Sequence, residues 1–145
     1  MFLDWGEASD QPDTLMLDVV SEADLEISDP VLLIRINQLY EPGMTAKEVY
    51  DCTRGVWVLG SRREQARYAL AVYHGEVVEV YVIGAWHPAG TTRYTSREID
   101  LERYGNRWEF TGHVAPDQVR SRYIGQSVAH YFRQGEANPV KYIKC

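Results

Sequence analysis

Residues 67–90, RYALAVYHGEVVEVYVIGAWHPAG, give the clearest indication of the fold class. This stretch is rich in β-branched and aromatic residues, which favour strands, and His74-Gly75 divides it into two alternating runs, as a tight turn does. We therefore predict two long antiparallel strands over 67–73 and 76–83. In the second run, one set of alternate residues is uniformly β-branched and is predicted to face the core: Val78, Val80 and Val82.

Shorter elements flank this hairpin. Thr45 with Glu48, and again Ser61 with Glu64, have the spacing of a capping box, which satisfies the free amides at the start of a helix. Gly55 is predicted to end the first of these helices. Alternation and turn residues predict further strands at 31–37, 56–59, 107–114 and 140–143, short helices at 117–123 and 127–132, and a long loop over 84–106 with a minor strand near 92–95.

Together these elements predict an α+β fold with a strongly curved, mostly antiparallel sheet or a small open barrel, flanked by short helices. Strands predominate, and several of the helices are too short to connect parallel strands as crossovers. The helices are therefore expected to cover the ends and faces of a meandering sheet.

Charge divides the chain of 145 residues into two parts. Residues 1–30 hold nine acidic side chains and no Lys or Arg, so residues 31–145 carry +3 once that −9 is removed from the net charge of −6. We predict a partly disordered acidic leader over 1–30 and a single domain over 31–145.

Several classes of protein are disfavoured by composition. The apolar runs are too short to span a membrane, and no signal peptide precedes the first acidic residues, so we predict a cytoplasmic protein with no membrane association. Cys52 and Cys145 are too few for a disulfide scaffold. The histidines lack metal-site spacing and the glycines do not form a phosphate loop, so neither a metal nor a cofactor is expected.

Aromatic and arginine side chains give the strongest functional signal. The chain has four Trp and ten Tyr, with arginines interleaved among those near the strands. Aromatic rings stack on nucleic-acid bases and arginines contact phosphates, although most such rings in a small domain fill its core. The predicted ligand-binding residues are Trp86, His87, Tyr94, Arg93, Trp57 and Arg63. The predicted contacts to a nucleic-acid backbone are Arg107, Arg120, Arg122, Arg133 and Lys141.

A family resemblance supports the same interpretation. The segments that carry it are Arg62-Arg63-Glu64, residues 66–73, Gly75, Glu79-Val80-Tyr81, residues 86–90 and Asn138-Pro139 with Tyr142. Together they resemble small bacterial and phage domains of the PUA-like superfamily, which includes the EVE, ASCH, YTH and SRA relatives. The resemblance covers residues 31–145 and implies a curved open barrel that binds RNA or modified bases in an aromatic pocket. It assigns no pocket residue by identity.

We interpret the chain as a non-catalytic module that binds DNA or RNA and reads a modified or flipped base. The ligand cleft is predicted between residues 86–94 and the basic C-terminal helices, with the leader folding over it as a phosphate mimic. One alternative is a small nuclease or nucleotide-processing enzyme that uses His87 with Glu98 or Asp100. Another is a phage or defence regulator that binds a protein partner through residues 1–30.

Overall fold

Six strands form one mixed sheet in the computed structural model, which describes residues 25–145. The strands are β1 (Val31–Arg35), β2 (Gly55–Trp57), β3 (Tyr68–Tyr73), β4 (Glu76–Pro88), β5 (Trp108–Val114) and β6 (Val140–Ile143). The helices are α1 (Ala46–Thr53), α2 (Leu101–Tyr104) and α3 (Asp117–Tyr123), with two 3-10 turns at Ser61–Gln65 and Ala129–Tyr131.

The strand order across the sheet is β2-β5-β4-β3-β1-β6. Every neighbouring pair is antiparallel except β1 and β3, which run parallel from Val31 opposite Tyr68 to Arg35 opposite Val72. The sheet curves into a half-barrel with short flanking helices. This confirms the prediction of a curved, mostly antiparallel α+β fold, and the parallel pair is a feature that the sequence did not reveal.

Buried side chains form two clusters on opposite faces of the sheet. One cluster, here the inner core, contains Trp57 from one edge strand and Val140 from the other, so it fills the inside of the curve. The other, here the outer core, joins β1, β3 and β4 to Val119 and Tyr123 of α3. Ile27 also lies in the outer core, fully buried. A leader was predicted over residues 1–30, and its residues 1–24 lie outside the described residues.

The predicted hairpin is confirmed, with one correction to its register. His74 and Gly75 both have positive φ, at 50° and 81°, as a two-residue hairpin turn requires. The pairing of β3 with β4 shifts by one residue between Ala71 and Val72. Because a bulge moves every later side chain to the other face, the prediction that Val78, Val80 and Val82 share a face is wrong: Val80 and Val82 pack on the outer core, and Val78 packs on the inner core.

Of the two predicted capping boxes, the one at Thr45 is confirmed and the one at Ser61 is wrong. At α1, the Thr45 hydroxyl accepts from the Glu48 amide at 3.2 Å and the Glu48 carboxylate accepts from the Thr45 amide at 2.8 Å, so this capping box is confirmed. The box predicted at Ser61 is absent, because Gly60 is the N-cap of a 3-10 turn without a side-chain cap bond.

The long loop predicted over 84–106 is shorter than expected. Its first residues continue β4 to Pro88, and its last part contains α2. Residues 92–95 form no strand. α1 ends at Thr53 with Arg54 as its C-cap, and Gly55 follows as predicted, although without the positive φ of a glycine cap, and opens β2. No helix within residues 25–145 has the length and apolar character needed to cross a bilayer.

Candidate functional site

A cleft of about 670 Å³ opens at one end of the half-barrel, where the two edges of the sheet approach each other. Its walls are residues 35–39 at the end of β1, Trp57 and Val58 at the end of β2, Arg107 before β5, and residues 136–139 before β6. The Gly60 amide donates to the Tyr142 hydroxyl at 3.2 Å and ties the two edges together beside the cleft. Barrel mouths and clefts of roughly 300–1,000 Å³ are common ligand sites.

Two exposed apolar side chains lie on the rim of this cleft. Val58 is 67% exposed and Leu39 is 41% exposed, and they are two of the four large exposed hydrophobic residues among those described. Val58 follows the last residue of β2 and is exposed, whereas its neighbours Trp57 and Leu59 are buried in the inner core. An exposed apolar rim favours a ligand with apolar or aromatic surface.

The two arginines of the cleft differ in their availability. Arg35 donates to the backbone carbonyls of Glu136 and Asn138 at 2.7 and 2.6 Å, and its guanidinium lies 4.4 Å from the Phe132 ring centroid. These contacts hold Arg35 in the wall. Arg107 has only a stacking contact, 4.9 Å from the Tyr104 centroid, and forms no ion pair with another described residue. It is therefore the cation that can meet an anionic group in the cleft.

The aromatic candidates donate their polar atoms to the protein itself. Trp57 Nε1 donates to the Thr53 carbonyl at 2.7 Å, and Trp86 Nε1 donates to the Arg63 carbonyl at 2.9 Å. Tyr94 donates its hydroxyl proton to Glu109 at 3.0 Å. Of these three rings, only Trp57 lines the cleft.

Glu109, which is fully buried, organises the loop that carries Tyr94. One carboxylate oxygen accepts from the Gly90 amide at 2.8 Å and from the Tyr94 hydroxyl, while the other accepts from the Thr92 amide at 2.8 Å and from the Thr92 hydroxyl. A carboxylate has about four acceptor sites, so this group is saturated. Gly55 lies so close to Tyr94 and Glu109 that a side chain there would overlap both.

Asp51 of α1 and Arg54, the C-cap residue of α1, add further buried polar contacts beside Glu109. One oxygen of Asp51 accepts from the amides and hydroxyls of Thr95 and Ser96, and the other faces Arg54 Nε at 3.4 Å. Arg54 also donates to the Thr92 hydroxyl at 2.8 Å, and its guanidinium stacks 3.8 Å from the Tyr94 centroid. We name the three buried charged residues, Asp51, Arg54 and Glu109, the buried polar cluster.

The pKa values within the buried polar cluster follow from burial and hydrogen bonding. Burial raises the pKa of Asp51 and of Glu109, but the bonds from Ser96 and Thr95, and from Thr92, Gly90 and Tyr94, outweigh it and leave each pKa below its ordinary value. Burial also raises the pKa of Tyr94, so its phenol stays protonated. Both carboxylates are ionised and fully bonded, and the cluster holds the loop rather than a ligand.

The remaining predicted ligand residues lie apart from the cleft. His87 lies on β4, and its Nε2 is 2.9 Å from the Thr111 hydroxyl. No hydrogen bond or ion pair within residues 25–145 joins it to Glu98 or Asp100, and Asp100 caps α2 instead. Arg63 lies 3.4 Å from the Trp108 ring centroid. Arg93 is exposed, and its carbonyl accepts from Arg54.

Most of the predicted backbone-binding cations are paired with acids. Arg120 bonds Glu79 at 2.8 Å, and Arg122 faces Asp29 at 3.2 Å. Lys141 bonds Glu136 at 2.9 Å, and Arg133 is exposed. Since α3 packs on the outer core and Trp86 packs on the inner core, the sheet separates them. The cleft predicted between residues 86–94 and the C-terminal helices is therefore not formed, and only Trp57 and Arg107 come together.

Sequence reasoning missed the rim and the buried polar cluster. The four-residue apolar run at 56–59 gave no signal for Val58, because alternation would place Val56 on the same face, and Val56 is buried while Val58 is exposed. Glu109 alternates with Trp108 and Phe110, which predicts a solvent-facing carboxylate. It is buried only because the loop folds over it, and a single sequence does not show that contact.

The described residues contain no group of histidine, cysteine and acidic side chains arranged to hold a metal ion. Comparison with family models, with curated proteins and with solved structures gave no match.

Proposed function

We propose that this domain is a non-catalytic nucleic-acid-binding module that receives one unpaired base in the cleft at the mouth of the half-barrel. The observation that carries the proposal is the combination, in one cleft of about 670 Å³, of a cation without an acidic partner among residues 25–145, apolar rim residues and amide side chains. The proposal agrees with the PUA-like resemblance, which rests on the sequence alone.

The chemistry of the walls suits a base better than a purely apolar ligand. Gln38 and Asn138 line the cleft with amide groups, which pair with the edges of bases. Leu39 and Val58 offer apolar surface to the faces of a base removed from its stack. Modified bases with an added apolar group would gain from the same rim.

The charge of the cleft predicts modest affinity. Arg107 is the cation available for a phosphate beside the bound base, so the salt dependence should correspond to about one phosphate contact, with a slope near −0.7 for a single strand. We therefore expect recognition of a particular base or end rather than tight binding along a long strand.

Two matched pairs of variants test the proposal. Arg107→Gln removes the cleft cation, and Arg103→Gln is its control, since Arg103 stacks on the same Tyr104 ring from outside the cleft. Val58→Asp disrupts the rim, and Val114→Asp is its control at an exposed strand end elsewhere.

The measurement is fluorescence anisotropy of short single- and double-stranded DNA and RNA, plain and base-modified, at two salt concentrations. Arg107→Gln should weaken binding about fivefold to tenfold and reduce the single-strand salt slope from about −0.7 to near zero. Val58→Asp should weaken it similarly, while both controls stay near the native affinity. No binding by the native chain, or equal losses in the controls, would rule out this cleft as a nucleic-acid site.

A further inference from the structure

The cleft also fits an acidic, partly apolar peptide. Its rim exposes Leu39 and Val58. Its wall contains Arg107, which has no acidic partner among residues 25–145. Covering the rim with a purely apolar segment would desolvate this cation without compensation, which is costly. A suitable occupant therefore carries apolar side chains on both sides of a carboxylate.

Residues 15–20 of this chain, LMLDVV, have that pattern. In an extended segment alternate side chains share a face, so Met16, Asp18 and Val20 together present an apolar, an acidic and an apolar group. The surrounding residues 1–24 carry seven acidic side chains and no Lys or Arg. Their charge is complementary to the cleft.

The position of the first described residue brings this segment within reach. The carbonyl of Leu25 lies 2.8 Å from His130 Nε2, and the Ile27 amide donates to the Tyr131 hydroxyl at 2.9 Å. The next residue, Phe132, lies 4.4 Å from the guanidinium of Arg35, which lines the cleft. Successive Cα atoms are 3.8 Å apart, so the Cα atoms of Phe132 and His130 are within about 8 Å of each other, and the five Cα–Cα steps from position 20 to position 25 span up to about 17 Å.

We propose that residues 15–20 bind in the cleft of the same molecule, with Asp18 facing Arg107, and compete there with nucleic acid. The competition rests on the proposed function, whereas the binding of the segment does not. The bound segment would cover the exposed rim and pair the free cation, and its displacement would accompany ligand binding.

The full chain allows a direct test by methyl and arginine side-chain NMR. Asp18→Lys reverses the charge of the segment and should shift the methyl signals of Leu39 and Val58 and the Nε signal of Arg107. Asp10→Lys makes the same charge change outside residues 15–20 and should leave those signals in place. The double swap Asp18→Lys with Arg107→Glu should return the Leu39 and Val58 signals toward their native positions, and the native signals should not change on dilution.

The same variants separate this proposal from the previous one. Asp18→Lys should raise oligonucleotide affinity about fivefold or more relative to Asp10→Lys, as for a competing ligand. Unchanged methyl signals in Asp18→Lys, or equal shifts in Asp10→Lys, would overturn the binding of the segment, and a dilution dependence would assign the site to a second copy. If the methyl shifts occur but no variant binds oligonucleotide, the segment binds and the nucleic-acid function fails.

Discussion

Replacing Glu109 with Gln tests whether the buried polar cluster stabilises the fold as its geometry indicates. The substitution keeps the shape of the side chain and removes its charge. Native Glu109 accepts four hydrogen bonds, from the Gly90 amide, the Tyr94 hydroxyl, and the Thr92 amide and hydroxyl. A glutamine offers one oxygen and one NH₂ group in the same space.

Whichever way the new amide turns, it faces one backbone N–H that has lost its acceptor. Hydroxyls can rotate to accept from the NH₂ group, but the amide of Gly90 or of Thr92 cannot. An unsatisfied buried donor costs about 1–3 kcal/mol, and the remaining bonds lose the extra strength of a charged acceptor. We expect a loss of roughly 2–4 kcal/mol in the free energy of unfolding.

Urea unfolding at neutral pH measures this loss, with Glu98→Gln as the exposed control, expected within about 0.5 kcal/mol of native. The pH dependence gives a second readout. Since the pKa of Glu109 lies below its ordinary value of 4.5, its stabilisation is complete above that pH and is lost as the pH falls through the folded-state pKa. The difference between Glu109→Gln and native should therefore narrow below pH 4.5. Native-like stability of Glu109→Gln, or a stability difference from native that stays constant in acid, would show that the charged carboxylate does not stabilise the fold.

Three further substitutions have expected results that unfolding experiments can check. Gly55→Ala should lower the free energy of unfolding by about 1–3 kcal/mol, because its methyl group would overlap Tyr94. A native-like stability would show that the loop carrying Tyr94 moves to make room for the methyl group. Thr45→Ala removes a helix cap and should cost about 0.5–2 kcal/mol, with Thr45→Ser close to native as the contrasting case. Arg120→Ala should cost less than about 1 kcal/mol, since its bond to Glu79 is partly exposed, and a larger loss would mean that the pair is better shielded than its exposure indicates.

The parts of the fold that sequence predicted well are those with local signals. The turn at His74 and Gly75, the capping box at Thr45 and the alternation of β5 each depend on neighbouring residues. The parallel pairing of β1 with β3 depends on a contact between distant segments, and no local pattern encodes it. The face of Val78 was mispredicted for a similar reason, because the bulge opposite Ala71 is set by pairing rather than by β4 itself.

The site was harder to predict than the fold because composition does not show which charges are already paired. Three side chains predicted to contact a nucleic-acid backbone each form an ion pair with an acidic residue instead: Arg120, Arg122 and Lys141. Trp86 and Tyr94 were predicted to bind a ligand, yet the polar atom of each ring forms a hydrogen bond within the protein. Of the predicted site residues, only Trp57 and Arg107 line the cleft, and they come together because the antiparallel pairing of β2 with β5 in the curved sheet brings the end of β2 beside the start of β5.

The buried polar cluster and the cleft are linked through β2. Arg97 donates both to the Asp51 carbonyl at 3.0 Å and to the Gly55 carbonyl, and the Phe110 amide donates to the Arg54 carbonyl at 2.8 Å. The backbone of two cluster residues, Asp51 and Arg54, is thereby tied to the start of a strand only three residues long. That strand ends at Trp57, and Val58 follows it on the rim. A short edge strand has few ladder bonds of its own to hold it, so the polar contacts at its start determine where its end lies. A cleft wall ordered in this way loses little conformational entropy when a ligand binds. Weakening the cluster should therefore weaken ligand binding in the cleft even though no cluster residue lines it.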